Sequence, residues 1–441
     1  MVQSANPSLA RRSRAHAAAR IRGRLATTPG RMRTAGAAIV VGLLLLAVVG
    51  TGAVRARERA TTAVGGQAEP LLLGAESLYS SLANADATAT NTFLEAGLEP
   101  PARRQAYLND LATAAAQLTK VAGQAGTAPA VTSALGVINK DLPIYSGMVE
   151  SARANNLEGF PVGAAYLTEG STLMQTQILP AAGTLYQVEA QRLNQAYDSG
   201  QSWLDVVGVL LAACVALALL VLAQGFVARR TNRLLNLPML IASVLTLVVV
   251  AWTATAFTLS AQHLSDARHH GSDPIQLASS AQILVSRAQV DENLALVARG
   301  GDPQYLADFD AVVSALGSGS GSSGLVGLAG TYPGTDATNM ASYYAGYLVA
   351  HKAVVAAESG GMFTAAVALA TGDSSGDELP AAAQLTGDLS NEILMSQAAF
   401  TGKSVAASND LSALSLGVIG LLIVAGALAL VGMEQRINEY R

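Results

Sequence analysis

One segment of the chain has the residue pattern of a nucleophilic serine. Gly372-Asp373-Ser374-Ser375-Gly376 matches G-x-S-x-G, in which a sharp turn between a strand and a helix exposes the serine hydroxyl. That arrangement also needs a histidine and an acid placed by a sheet. The surrounding residues are polar and helical in pattern, so a loop or a helix irregularity is the favoured interpretation. An envelope hydrolase that uses Ser374 is therefore the least favoured of three functional hypotheses.

Two other patterns could bind a cofactor or a metal. Gly319–Gly324 fits G-x-G-x-x-G, but no hydrophobic strand precedes it, and a Gly/Ser linker produces the match by itself. His269 and His270, with His263 nearby, could bind a metal, but no cysteine or carboxylate completes a zinc-like ligand spacing. The sequence predicts solvated histidines, no metal and no cofactor.

One charged residue stands on an apolar helical face. Arg287 belongs to the series Ile283, Arg287, Val290, Leu294 and Val297. A charge on such a face is unfavourable unless it is paired. An intrahelical pair with Asp291 explains it. The alternative is that Arg287 reaches a groove and binds a ligand carboxylate.

The residues named above lie in a chain with four long hydrophobic segments. The chain has 441 residues, of which 51% are hydrophobic, and its mean hydropathy is +0.36; this is the composition of a membrane protein. Each segment has about 20 residues without a charged side chain, enough for a helix to cross the hydrocarbon layer. Because the segments carry no Asp, Glu, Lys, Arg or His, a transporter or a channel is disfavoured.

The distribution of charge predicts the orientation. Residues 1–33 hold eight arginines and no acid, and residues 228–237 hold three arginines and no acid. Residues 55–205 hold nine basic and 14 acidic side chains, and residues 260–410 hold five and 15. Short basic segments remain in the cytoplasm. Both termini are therefore predicted to be cytoplasmic, in a plasma-membrane protein whose first span is an uncleaved anchor and not a signal peptide.

The basic segments are the predicted contact sites on the inner side. Arg229, Arg230 and Arg233 in the central loop are candidate docking residues for a cytosolic partner. The arginines of the N-terminal arm are expected to contact anionic lipids, and the alternative is that the arm docks an acidic cytosolic protein. Nucleic-acid binding is not expected, because no aromatic residues are interleaved with the arginines.

The predicted fold is an all-α membrane protein with four transmembrane helices and two duplicated extracytoplasmic four-helix bundles. Its segments are the basic cytoplasmic tail 1–33, spans at 34–54, 206–227, 238–259 and 411–433, bundles at 55–205 and 260–410, the cytoplasmic loop 228–237 and the cytoplasmic tail 434–441. In the first bundle an apolar series at helical spacing predicts the core of the first helix; it comprises Leu71, Ala75, Leu78, Leu82, Ala85, Ala89 and Phe93. Pro129 and Pro161 open later helices, and a kink is expected at Pro180. The turn at Asn155 and Asn156 is either helix-end chemistry or an exposed contact for a ligand or partner.

Short motifs recur in the same order about 200 residues apart, which predicts an internal duplication. The pairs are Glu69-Pro70-Leu71 with Asp273-Pro274-Ile275, Tyr107-Leu108-x-Asp110 with Tyr305-Leu306-x-Asp308, Tyr145-x-Gly147 with Tyr344-x-Gly346, and Leu179-Pro180-Ala181-Ala182 with Leu379-Pro380-Ala381-Ala382. Small residues in the second and fourth spans permit close helix contact, either among the four spans or in a homodimer.

Two segments carry a resemblance to a known family: Arg153-Ala154-Asn155-Asn156-x-x-Gly159-x-Pro161 and Ile178-Leu179-Pro180-Ala181-Ala182. With the four-span layout, they make the chain resemble the actinobacterial four-pass membrane protein found with a glutamate/glutamine-binding lipoprotein and the soluble Ser/Thr protein kinase G. The resemblance implies that the lipoprotein captures an amino acid outside and that the four-pass protein relays this to the kinase. The predicted bundles are also similar to the four-helix ligand modules of chemoreceptors.

The favoured function is a non-enzymatic transmembrane sensor or relay for glutamate-, glutamine- or aspartate-type amino acids. The 33, 10 and eight residues predicted to lie inside are too few for a catalytic core, so the output must pass through a bound partner. The alternative is a structural or scaffold protein, or an accessory subunit of a membrane transport or envelope complex, that carries no signal.

Overall fold

The structure, a computed structural model, describes residues 28–95, 99–124, 128–231, 236–299, 302–318, 337–372, 374 and 376–438. In these ranges every regular element is a helix and none is a strand, which confirms the predicted all-α class. Four helical stretches are long and apolar enough to cross a membrane. They are Gly30–Leu94, Val162–Arg229, Leu237–Val297 and Glu378–Arg436, and each contains one of the predicted spans.

The helices are labelled in chain order. The first half holds α1 (Thr28–Ala63), α2 (Glu69–Leu94), α3 (Pro101–Gln124), α4 (Pro129–Leu157), α5 (Val162–Leu173), α6 (Leu179–Gly200) and α7 (Trp203–Thr231). The second half holds α8 (Leu237–Ala267), α9 (Asp273–Val297), α10 (Gln304–Ser318), α11 (Ala337–Ser359), α12 (Phe363–Thr371), α13 (Glu378–Ser412) and α14 (Leu414–Asn438).

Three short π-helical turns stand directly before prolines. They are Val64–Ala68 before Glu69-Pro70, Met174–Ile178 before Leu179-Pro180, and Arg268–Ser272 before Asp273-Pro274. A proline has no N–H, and its ring collides with the carbonyl four residues back. The residue before each proline instead donates its N–H five residues back, as Leu179 does to Met174. The irregularity expected at Pro180 thus takes the form of a π-turn.

The chain divides into two compact units. The span unit contains the described residues of Met1–Thr61, Asp198–Gln262 and Ala406–Arg441, and the bundle unit contains Thr62–Tyr197 and His263–Val405. In the span unit, the small residues Ala212 and Ala216 of α7 and Ala425 and Ala429 of α14 lie in a shared core. These stripes of small residues therefore pack against helices of the same chain.

The bundle unit holds both predicted bundles. In the first bundle, α2 to α6 surround a core that contains the predicted apolar series: Leu71 to Ala89 of that series are buried, and Phe93 is half-buried. In the second bundle, α9, α10, α11 and α13 surround a separate core that includes Phe309, Tyr347 and Leu385. Each bundle thus has a core of its own, and the proposed duplication of the sequence stays a prediction.

The two bundles pack against each other through α2 and α9. Their facing side chains form three polar pairs: Ser279 donates to Glu76, Ser286 donates to Asn84 at 2.6 Å, and Asn293 donates to Thr90 at 3.2 Å. Partners are 203, 202 and 203 residues apart, close to the spacing of the recurring motifs. Helices α2 and α9 therefore run in the same direction, with nearly corresponding residues in contact.

Candidate ligand-binding groove

The predicted docking residues of the central loop are only partly described. Arg229 is exposed near the end of α7. The side chain of Arg230 and the whole of Arg233 lie outside the described residues, as do residues 1–27 of the N-terminal arm. Docking at these arginines stays a prediction.

Asn155 and Asn156 lie at the C-terminus of α4, where the chain forms a Schellman turn. Phe160 N–H donates to Asn155 O at 2.8 Å, Gly159 N–H donates to Asn156 O at 3.0 Å, and Gly159 has a φ of +74°, the left-handed conformation that this turn requires. The Asn155 amide donates to Ser151 O, and the Asn156 amide donates to Phe93 O at 2.9 Å. Both side chains therefore form hydrogen bonds that stabilise the C-terminus of α4, and the bond from Asn156 connects α4 to α2.

Asn156 lines a small pocket at this end of the first bundle, together with Arg104, Arg153 and Glu99. Arg153 pairs with Glu99 at 2.5 Å, and Arg104 pairs with Glu150 at 2.5 Å. The pocket volume is about 40 Å³, far below the roughly 300–1,000 Å³ found for small-molecule sites. The pocket is therefore too small for an amino acid.

Arg287 lies between the bundles. The apolar series to which it belongs is the contact surface of α9 with the first bundle: Ile283 joins the first bundle's core, and Val290 and Leu294 pack on Ala87. Burial raises the pKa of Asp291 to about 7, and the charge of the half-buried Arg287 opposes that rise. The arginine thus lies near Asp291, as the intrahelical interpretation requires, and it does not line the groove described next.

A larger groove is lined by α2 and α3 of the first bundle and by α9 and α13 of the second. Its volume is about 370 Å³, within the range of roughly 300–1,000 Å³ found for small-molecule sites. The polar lining residues are Asn84, Thr88, Asn91, Arg103, Asp110, Gln282, Ser286, Gln289, Thr386 and Ser390.

Two opposite charges on α3 face this groove. Arg103 and Asp110 are seven residues apart, two helical turns, which places their Cα atoms about 10 Å from each other on one face. Arg103 donates to Asn91 Oδ1 and to Thr371 O at 3.0 Å, and it also pairs with Glu95. Asp110 is half-buried, and burial raises its pKa to about 6. The groove can therefore present a cation and a carboxylate to one small ligand.

The sequence patterns with catalytic or metal-binding potential lie elsewhere. Ser374 stands in the turn between α12 and α13, where its backbone N–H donates to Asp377 Oδ2 at 2.8 Å. No strand precedes it in the described part of the chain, so the nucleophile elbow is not formed. His269 is exposed and lies 3.4 Å from Asp273 in the same helical segment.

A buried cluster in the second bundle has no counterpart in the predictions from sequence. Glu292 of α9, His351 of α11 and Glu378 of α13 each place a ligand atom within 4.8 Å of the others. His351 Nδ1 lies 2.9 Å from Glu292 Oε1, and its ring stacks on Phe309 at 3.7 Å. Burial raises the pKa of Glu292 to about 7 and that of Glu378 well above its ordinary range, and it lowers the pKa of His351. The spacing of these residues along the chain carries no motif that could have revealed the cluster.

The first bundle and its flanking residues can be assigned by comparison. Residues 60–198 match the family model of the actinobacterial sensor domain. The match covers α2 to α5 and nearly all of α6, so it includes Arg103 and Asp110, and it supports a sensor role. No curated protein and no solved structure matches the chain. One wall of the groove therefore belongs to the sensor domain, and the other belongs to the second bundle.

Proposed function

We propose that the chain is a non-enzymatic transmembrane sensor. It couples recognition of a glutamate-, glutamine- or aspartate-type amino acid outside the cell to a cytosolic Ser/Thr kinase, with a solute-binding lipoprotein as the outer partner. The sensor-domain match and the four helical stretches suited to a membrane support this function. The observation that carries it is the polar groove between the bundles.

The groove suits a free amino acid because it offers a partner for each charge of the zwitterion. The Asp110 carboxylate can accept hydrogen bonds from the ligand's ammonium group, and the Arg103 guanidinium can donate hydrogen bonds to the ligand's carboxylate. The donors of Gln282 and Ser286, on α9, already bond Thr386 O and Asn84 Oδ1. Gln289, on the same helix, adds an amide group for the ligand's side chain. Such groups orient a ligand and reject analogues that leave them unpaired.

A ligand held by both walls favours one arrangement of α2 against α9. Gly30–Leu94 and Leu237–Val297 are helical stretches that contain these two helices and the predicted first and third spans. Because each stretch is continuous, a small displacement of α2 along α9 would also displace the predicted first span relative to the third. The signal requires that the ligand or the lipoprotein bind the two arrangements with different affinities.

The direct test is a titration of the full chain in lipid nanodiscs with glutamate, glutamine and aspartate. Asp110→Asn keeps the size of the side chain and removes the charge, so we expect at least tenfold weaker binding. Asp308→Asn is the matched control, since Asp308 is the motif counterpart of Asp110 on α10 but is exposed and lines no part of the groove. Wild-type binding should weaken as the pH falls below about 6, because protonated Asp110 no longer attracts the ammonium.

The outcomes separate direct recognition from recognition through the lipoprotein. Binding of free amino acid that is equal in both variants would reject the groove. If binding is measurable only when the loaded lipoprotein is present, the first contact is with that protein. The exposed turn 157–160 that follows Asn155 and Asn156 is then the surface to substitute next. Crosslinks between spans that do not change with the amino acid or the loaded lipoprotein would favour the scaffold alternative.

The inner half of the proposal is tested by co-purification. Replacing residues 228–237 and the N-terminal arm with neutral sequences should abolish retention of the kinase by the full chain. As a control, Glu158→Gln, at an exposed position outside both segments, should leave retention of the kinase unchanged. Kinase retention that survives the first replacement would reject both docking sites.

A further inference from the structure

The buried cluster of the second bundle brings three metal-ligating side chains together from three helices. Glu292 and Glu378 are 1% and 4% exposed, and the His351 side chain is 12% exposed. Stacking on Phe309 fixes the plane of the imidazole ring. The ligand atoms therefore sit in a dry site with restricted side-chain freedom, where a charge interacts strongly with its neighbours.

The cluster contains more hydrogen-bond acceptors than donors. His351 Nδ1 bonds Glu292 Oε1, while Glu292 Oε2 and Glu378 Oε1 are buried and have no hydrogen-bond partner of normal geometry. Glu292 and the Tyr347 hydroxyl lie close enough to Glu378 to share a proton with it, but the hydroxyl also makes no bond of normal geometry. Glu358 on α11 adds another buried carboxylate oxygen without a partner. Buried polar groups normally have partners, so these oxygens point to a positive group that completes the site.

A divalent cation has the right charge. Two carboxylates and a neutral imidazole carry a charge of −2, which one divalent ion cancels, whereas a single proton shared by the carboxylates cancels half of it. Two adjacent carboxylates without a counter-ion cannot both ionise at neutral pH. On binding, the ion displaces that shared proton to solvent and forms bonds to one nitrogen and two oxygens.

The donor set and the distances favour a transition metal. Imidazole suits zinc, iron, copper and nickel, whereas carboxylate alone suits magnesium, calcium and manganese. Metal bonds of about 2.1 Å place neighbouring ligand atoms about 3.0–3.4 Å apart. His351 Nδ1 and Glu292 Oε1 are 2.9 Å apart, and the whole set lies within 4.8 Å. Small side-chain movements are enough to close the set around one ion.

We propose that Glu292, His351 and Glu378 bind one divalent transition-metal ion, with zinc as the best fit, which joins α9, α11 and α13 at the core of the second bundle. The site is separate from the amino-acid groove, since none of its three ligands lines that groove. The proposal of a metal site does not depend on the proposed sensor function.

The test uses the purified full chain in nanodiscs, stripped with a chelator and dialysed against zinc, manganese, magnesium or calcium. We expect one zinc per chain by elemental analysis, and a zinc-dependent rise in the thermal midpoint Tm, since a ligand that binds only the folded state stabilises it. Cobalt bound in place of zinc should give a visible absorption spectrum that indicates a nitrogen ligand. His351→Gln and Glu378→Gln should each weaken zinc binding at least tenfold and remove the zinc-dependent rise in Tm.

Two controls keep the result interpretable. His269→Gln removes an exposed histidine outside the cluster and should leave zinc stoichiometry and the cobalt spectrum unchanged. The double variant Glu292→Gln/Glu378→Gln should fold without metal, because no buried carboxylate remains that needs a counter-ion. The proposal is overturned if the wild-type chain retains no stoichiometric zinc or manganese. It is also overturned if zinc binding depends on His269 and not on His351, or if the double variant and the wild type respond equally to zinc.

Discussion

Two buried clusters, one in each bundle, differ in how the carboxylate oxygens are satisfied. In the first bundle, Asp86 of α2 is 1% exposed and accepts hydrogen bonds from Tyr145 at 3.2 Å and Ser171 at 2.7 Å, so each oxygen has a donor. In the second bundle, two carboxylates and an imidazole meet with too few donors. The first cluster lies on α2, α4 and α5, and the second lies on α9, α11 and α13. Each bundle thus gathers three helices around its cluster, with a closed hydrogen-bond network in one and an incomplete ligand set in the other.

This difference parallels the comparison with known proteins. The sensor-domain match includes the Asp86 network and stops before the second bundle. The network with satisfied hydrogen bonds therefore lies within the residues that match the sensor domain. The Glu292, His351 and Glu378 cluster lies outside them.

The largest expected effect follows from breaking the closed network. Asp86→Ala leaves the Tyr145 and Ser171 hydroxyls buried without an acceptor and creates a small cavity. We expect a loss of about 2–4 kcal/mol in the free energy of unfolding, since each unpaired buried group costs about 1–3 kcal/mol. The measurement is denaturant unfolding followed by far-UV circular dichroism. A variant within about 0.5 kcal/mol of wild type would show that water replaces the lost acceptor.

The next effect concerns the interface between the bundles, where Glu76 is buried against Ser279. Burial raises the pKa of Glu76 to about 7. A carboxyl whose pKa is raised in the folded state contributes stability that is present below its ordinary pKa of about 4.5 and is lost as the pH rises through 7. We therefore expect the chain to be less stable at pH 8 than at pH 5.

Glu76→Gln should flatten this dependence by on the order of 2 kcal/mol, since one pKa unit corresponds to about 1.4 kcal/mol. Stability profiles of wild type and variant between pH 5 and pH 8 provide the measurement. Glu158→Gln, at an exposed position in the first bundle, is the control and should keep the wild-type slope. Parallel profiles for wild type and Glu76→Gln would mean that other buried carboxyls dominate.

The smallest effect is expected from the second cluster in the absence of metal. Glu378→Gln replaces a carboxyl that is protonated beside Glu292 in the metal-free chain and keeps a hydrogen-bond donor, the amide, next to the Glu292 carboxylate. We expect metal-free Glu378→Gln to be equal to wild type or more stable by about 1 kcal/mol, since replacing buried ionisable groups is often neutral or stabilising. Asp86→Ala should lower the free energy of unfolding, whereas metal-free Glu378→Gln should not, and this contrast tests the comparison of the two clusters most directly. A loss of 2 kcal/mol or more would show that the second cluster is also a closed network.

The sequence by itself determined the helical class, the four hydrophobic stretches and the core-facing residues of α2. These depend on uncharged length and on apolar residues at helical spacing, which are local properties of the chain. Proline positions likewise predicted an irregularity at Pro180, although its form as a π-turn required the structure.

Only the tertiary structure decided which helical faces meet. The series around Arg287 looked like a helix face with one misplaced charge, and the structure shows it to be the contact surface of α9 with the first bundle. Arg103 gains its groove partners from residues about 180–290 positions later in the chain, and His351 gains Glu292 and Glu378 from two other helices. Periodicity along one helix says which side is buried, but the identity of the helix on the other side depends on how all the helices pack together.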